Sequence, residues 1–511
     1  MTIARGLALA IVGLAASAVA LWQLLAATSG LTITRTMVGT TPVTVFAPKS
    51  GVRGPVVVIG HGLAGSQQLM QPFAVSLSRN GYVAVTFDFL GHGRNPRPLT
   101  GSLTEAKGAL VEEMAEVVAF ARRLPEGDGR LAVLGHSMAS DIAVRYAQGD
   151  PEVAATIAVS MFSPVETAMS PRNLLVIDGA LESAAFRDKA LRIVAMAAGP
   201  EPPREQVTYG SFTAGTARRA VFPPGVEHIS VLYSRAGLTE ALDWLNAVFG
   251  ARPPASGSGA FLDARGPWLA LLFLGLMVLA RPLCELLPRV ASRPLGASVP
   301  WRTLLPLALG PAILTPLILW KMPTDFLPIV VGDYLALHFA LYGLLTGAGL
   351  MILRWTTRPE PGPAASFGAA AASIASVALY STGVFGLALD MFVISFVPGE
   401  GRLLLVPALL VGTLPYFVAD EWLTRGASAP RGSYLVTKIC FLLSLALAVV
   451  FNRQKLFVLI IIAPVILILL VISGLFSGWV YRRTNHPLVG AIANAVALSW
   501  AIAATFPLLV R

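Results

Sequence analysis

The chain has little charge, few histidines and almost no cysteine. Of its 511 residues only 13% are Asp, Glu, Lys or Arg, against ~25% in ordinary soluble proteins. A shortage on that scale, beside 55% hydrophobic residues, excludes a chain that is water-soluble throughout. The two cysteines, Cys284 and Cys440, lie in or beside long apolar runs. They cannot staple a secreted fold, and no Cys/His cluster has the spacing of a zinc site. Neither a metal nor another cofactor is implied. The net charge of +10 first points to nucleic acid, but its location removes that reading. Residues 31–250 carry 19 basic and 19 acidic side chains, and the rest of the chain carries 19 and 9. The whole excess sits among apolar runs, where Lys and Arg orient membrane spans. No basic patch is left to neutralise phosphates, so nucleic acid is not an expected partner.

The apolar residues are unevenly spread. Residues 1–30 hold one long apolar run after Arg5, long enough to span a bilayer as an anchor. Ala18-Val19-Ala20 also offers a signal-peptide cleavage pattern. Residues 31–250 alternate short β-rich runs, such as VVVIG, LAVLG and NLLVID, with helix-like stretches. Runs with so little polar alternation fit strands buried on both faces, so a mainly parallel sheet covered by helices is expected. Residues 251–264 are a Pro/Gly/Ser/Ala-rich linker. Residues 265–511 contain about eight further spans, an all-α polytopic membrane domain. With the N-terminus inside and nine spans in all, twelve loop Lys/Arg face the cytoplasm and seven face out. The domain at 31–250 is then extracytoplasmic on a bacterial-type inner membrane.

Chemistry enters at RLAVLGHSMASDIAV, residues 130–144. A buried-strand pattern ends in Gly135-His136-Ser137-Met138-Ala139 and a helix pattern follows. Ser137 is either a nucleophile presented on a tight strand-to-helix turn or an ordinary helix N-cap. A serine nucleophile needs a base. Of the six histidines, two lie in the membrane part, His61 and His92 sit in early Gly-rich turns, and His136 is inside the turn itself. His228, in a loop after the last strand pattern, is the remaining candidate.

Three stretches, VVVIGHGLAGS (56–66), FDFLGHGRN (87–95) and VLGHSMAS (133–140), make residues 31–250 resemble an α/β-hydrolase of the serine-aminopeptidase and monoacylglycerol-lipase-like branch. The resemblance covers under half of the chain and departs from G-x-S-x-G by placing Ala139 at the second glycine. It implies an acid on the segment Val176-Ile177-Asp178-Gly179-Ala180-Leu181-Glu182. Alignment on Gly179 puts Glu182 at the acid position, with Asp178 the competitor. It also implies an oxyanion hole from the backbone N–H groups of Met138 and Leu63. Asp88 precedes the serine in chain order and reads as a turn residue, while Asp141 is expected to face away from the site.

Ionisable residues in spans are expensive and therefore candidates for function. Asp390 and His338 are expected to lie deepest and are placed so that they could pair; helix-packing or interfacial roles are the other reading. The reading with most support is a membrane-bound serine hydrolase, an esterase, lipase or acyltransferase acting on an acyl-bearing small molecule or lipid. The alternative is a transporter or scaffold whose hydrolase-like domain only binds.

Overall fold

A computed structural model describes residues 2–101, 105–161, 163–200, 202–252, 259–358 and 362–510. Residues 253–258 of the Pro/Gly/Ser-rich linker expected at 251–264 lie outside the described residues. The chain forms two compact units. One comprises Ser17–Leu272, Leu389–Ser395 and Pro507–Arg511; the other comprises Met1–Ala16, Phe273–Ala388 and Phe396–Phe506.

After a leading helix α1 (Ile3–Ala26), the first unit runs β1 (Leu31–Val38), β2 (Thr41–Pro48), β3 (Gly54–Gly60), α2 (Gln71–Arg79), β4 (Val83–Phe87), a two-residue β5 (Leu99–Thr100) and α3 (Lys107–Ala121). It continues with β6 (Gly127–His136), α4 (Met138–Gly149), β7 (Val153–Val159), β8 (Leu174–Ile177), α5 (Ala184–Ala198), β9 (Arg218–Val221) and α6 (Arg235–Phe249). Eight strands form one sheet in the order β1-β2-β4-β3-β6-β7-β8-β9. The β1–β2 and β2–β4 pairs are antiparallel, and every pair from β4 to β9 is parallel.

The central strands are apolar on both faces because helices cover both. Val57, Ile59, Leu134 and Ile157 pack with Phe73 and Leu77 of α2 and Leu242 and Leu245 of α6. Val56, Val58, Leu131 and Val133 turn the other way, onto Met114 and Val118 of α3 and Ile142 and Ala143 of α4. Each of these Val, Leu or Ile side chains contributes ~1.5–3 kcal/mol on burial. Strand order then fixes where a site can form. From β3 the chain adds β4 on one side, then returns to place β6 on the other. The resulting switch point, outside the carboxyl ends of β3 and β6, is where parallel α/β sheets hold ligands. Gly60 and Gly135 lie side by side there in register, immediately before residues 61–66 and the 135–139 turn.

Two late pieces of chain complete this unit. Leu509–Val510, β10, pairs with β5. Residues of Leu389–Ser395 bond to the segment that follows β3, and Val393 and Ile394 pack against the core shared by α2 and α6.

Among the described residues nine helices are long and apolar enough to cross a membrane, from Ile3–Ala26 and Gly266–Leu286 to Pro487–Thr505. Within the second unit the helices Gly332–Thr357 and Glu400–Thr424 approach at small residues. A Cβ on Gly343 would stand 2.3 Å from the Tyr416 nitrogen, and one on Gly412 would stand 2.3 Å from the Ala336 oxygen. Backbone proximity of this kind is how helices pack where water offers no hydrophobic drive. In the second unit His338 shares a hydrogen bond with Ser444 at 3.0 Å; within the first unit Asp390 pairs with Arg94 at 2.6 Å. The sequence places both residues in apolar runs but carries no information on which way each faces.

Candidate active site

Ser137 stands between the end of β6 and the start of α4 with φ of 54° and ψ of −115°. A non-glycine residue there is strained by ~1–3 kcal/mol. The surroundings impose the conformation: Ser137 N–H donates to Val159 O at 2.8 Å, and Ser140 Oγ–H donates to Ser137 O at 2.6 Å. The sharp turn requires Gly135, where a Cβ would lie 2.0 Å from Ala139 O. Ala139, in the place of a second glycine, fits because Gly60 faces it: a Cβ on Gly60 would meet the Ala139 Cβ at 2.9 Å. Ser137 makes no side-chain cap bond to α4, so its hydroxyl is not spent on the helix.

That hydroxyl lies 2.9 Å from His228 Nε2, and His228 Nδ1 lies 2.9 Å from Glu182 Oε2. A carboxylate only accepts, so Nδ1 carries the proton and Nε2 is left to accept from Ser137. The Glu182 side chain is 3% exposed. Its Oε1 accepts from Ser160 Oγ–H at 2.6 Å and Gly179 N–H at 2.9 Å. Gly179 is required for closeness, since a Cβ would fall 2.5 Å from Val226 O on the loop that carries His228. Asp178 points elsewhere: its Oδ1 accepts from Met161 N–H at 2.9 Å, and its buried Oδ2 has no partner among the described residues. Burial pushes the Asp178 carboxyl well above the usual carboxylate range.

Leu63 lies in the turn after β3, and Met138 opens α4. The first N–H groups of a helix lack intrahelical acceptors and point at whatever sits beyond the N-terminus. His61 fixes the loop of Leu63: its Nδ1–H donates to Gly62 O at 2.8 Å and its Nε2 accepts from Phe89 N–H at 3.1 Å. Burial lowers its pKa, keeping that tautomer neutral. A Cβ on Gly62 would meet His136 Nδ1 at 2.9 Å and Ser137 Cβ at 3.0 Å, so the loop passes close over the serine. Ala64, Ser137 and Ser160, three non-glycine residues with positive φ, all border this site, the kind of clustering that accompanies function.

The turn residue Asp88 accepts from Gln67 N–H at 2.8 Å and Arg94 N–H at 3.0 Å, tying two loops together. Asp141 pairs with Lys107 and Arg145. Ser160 and the role of His136 had no sequence signal beyond a small polar residue at a strand end and a histidine beside the serine. Among the described residues no group of three or more His, Cys, Asp or Glu is placed to hold a metal ion.

The family model described as serine aminopeptidase, S33, matches residues 53–190, from β3 through the serine turn into α5. The first unit has the α/β-hydrolase fold. No curated protein matches the chain. Solved structures similar to this chain include TT1662 from Thermus thermophilus, 20% identical over 42% of this chain and 99% of that one, with a TM-score of 0.32. E-2-(acetamidomethylene)succinate hydrolase is 16% identical over 42% and 100%, with a TM-score of 0.31. An epoxide hydrolase from Vigna radiata is 19% identical with a TM-score of 0.22; the match takes in 28% of this chain and 42% of that enzyme.

Proposed function

We propose that this protein is a membrane-bound serine hydrolase that cleaves or transfers an acyl group held as an ester, thioester or amide. The observation that carries the reading is the continuous line from Ser137 Oγ through both nitrogens of His228 to Glu182, 2.9 Å at each step. His228 Nε2 takes the Ser137 proton as Oγ attacks the acyl carbonyl. The carbonyl oxygen becomes an oxyanion held by the N–H groups of Leu63 and Met138. The imidazolium, stabilised by Glu182, then gives its proton to the leaving alcohol, thiol or amine. Water or a second acceptor attacks the acyl-enzyme through the same base and restores Ser137. Glu182 orients His228 and keeps its own charge throughout.

The connection between β7 and β8 carries no helix among its described residues, so no large cap covers the serine from that side. An open site suits bulky acyl groups, and the nine helices fit for a membrane among the described residues favour lipid or envelope-linked substrates. We place the hydrolase domain on the extracytoplasmic face of a bacterial-type inner membrane, from the loop charges. Reporter fusions after residue 250, active only when exported, check that side.

A fluorophosphonate probe on the full-length protein in detergent or nanodiscs tests the chemistry. Labelling of the wild type, lost in Ser137→Ala and His228→Ala, is the expected outcome. A well-folded wild type that takes no label would leave a transporter or scaffold with a binding domain.

A further inference from the structure

Leu389–Ser395 reaches the hydrolase domain from inside the apolar half of the sequence and bonds to the segment that ends the Leu63 loop. Ser395 N–H donates to Ser66 Oγ at 2.9 Å, and Ser66 Oγ–H donates to Gln68 Oε1 at 2.8 Å. The Ser395 hydroxyl donates to the same Gln68 oxygen at 3.0 Å. Gln68 Nε2 donates to Asp390 O at 3.3 Å, and the Asp390 carboxylate pairs with Arg94 at 2.6 Å. Ser66, Gln68 and Ser395 are all buried. Gln68 therefore has both ends of its amide matched by the strap, an arrangement only one geometry satisfies. From Ser66 the constraint runs back directly. Gly65 N–H closes a turn on Gly62 O at 3.0 Å, and Leu63 lies inside that turn.

We propose that Ser395 and Asp390 are positioning residues: the 389–395 strap holds the Ser66–Gln68 anchor and thereby fixes the loop that presents the Leu63 N–H to the oxyanion. The inference rests on Ser137 being the nucleophile. A donor displaced by a fraction of an ångström binds substrate as before and loses transition-state stabilisation.

The test uses full-length protein in nanodiscs, a p-nitrophenyl acyl ester as substrate and a trifluoromethyl ketone as the probe of tetrahedral-state binding. Ser66→Ala removes the acceptor of the strap N–H; kcat falls by about 10- to 100-fold with KM nearly unchanged, and ketone affinity falls by a like factor. Ser66→Thr, which keeps the hydroxyl, restores both. Ser395→Ala loses one of its two bonds and falls less. Arg94→Asp and Asp390→Arg each lower kcat, and the double exchange recovers it. Unchanged kcat in Ser66→Ala and Arg94→Asp would overturn the proposal, as would losses that follow KM and melting temperature with ketone binding intact. Fluorophosphonate labelling separates the two readings. A wild type that labels, with indifferent strap variants, removes the strap role alone; a folded wild type that never labels overturns both.

Discussion

His136 Nε2–H donates to the backbone carbonyl of His228 at 2.9 Å, and the two imidazole rings lie 5.1 Å apart. The residue beside Ser137 therefore holds the main chain of the residue whose imidazole faces the Ser137 hydroxyl. His136 Nδ1 is buried without a partner among the described residues, so the hydrogen bond of Nε2 is what fixes the ring.

Burial, and then the neighbouring His228, drive the His136 pKa down to about 3. The unfolded value is 6.5. For a depressed pKa, stability is fully present above 6.5 and is lost as pH falls towards 3, because the unfolded chain takes up a proton that the folded one refuses. His136→Gln keeps a donor without the titration. Its melting temperature falls less than that of the wild type between about pH 6.5 and about pH 4. An equal slope in both proteins would assign the acid sensitivity to other groups. His136→Ala, without the donor, loses about 10-fold in kcat.

The two acids at the end of β8 separate by variant. Glu182→Gln leaves His228 without a charged partner for Nδ1 and lowers kcat by about 100- to 10,000-fold. Asp178→Asn retains activity within about threefold, since Asp178 touches neither His228 nor Ser137. The stability effect has the opposite sign to that of an ordinary paired carboxylate. The raised Asp178 pKa means wild-type stability is greatest below the unfolded carboxyl value of 3.8 and declines as pH rises. The Asn variant therefore gains melting temperature relative to wild type more at about pH 8 than at about pH 4. Thermal scans of the pair across that range decide it.

Gly179→Ala introduces a Cβ 2.5 Å from Val226 O and 2.9 Å from Val226 C. The neighbour is backbone, so the loops carrying Glu182 and His228 must part. The expected result is a kcat loss of about 100-fold with the fold retained, read as intact melting and weakened fluorophosphonate labelling. Normal labelling would mean that the loops absorb the methyl without moving the His–Glu bond.

In the helical unit Lys438 pairs with Asp420, both side chains nearly inaccessible. Lys438 also lies 4.3 Å from the Tyr434 ring centroid. Asp420→Asn strands the ammonium and destabilises by about 3–5 kcal/mol, whereas Asp420→Leu with Lys438→Met removes both charges and recovers most of that loss. Unfolding in detergent distinguishes the single from the double variant.

Strand and helix content of the first unit was legible because each core strand is a short apolar run and each covering helix has one apolar face. Ser137 and His228 stand out in the sequence because tight turns need small residues and because few histidines compete. The choice between Glu182 and Asp178 was not open to pattern reading alone. Both are carboxylates on one loop, and the loop's curvature at Gly179 decides which reaches the imidazole. Asp390 misled for a similar reason: hydropathy shows that a residue lies in an apolar run and is silent on what faces it.

The sequence by itself determined a neutral α/β unit, a set of apolar helices and a serine on a tight turn, since each of these depends on residues near one another in the chain. Tertiary structure decided which histidine meets that serine, which carboxylate meets the histidine and which distant segment bonds to Ser66. Those contacts join residues 46 to 329 positions apart, and their distances are set by packing of whole strands and helices, which no local pattern encodes.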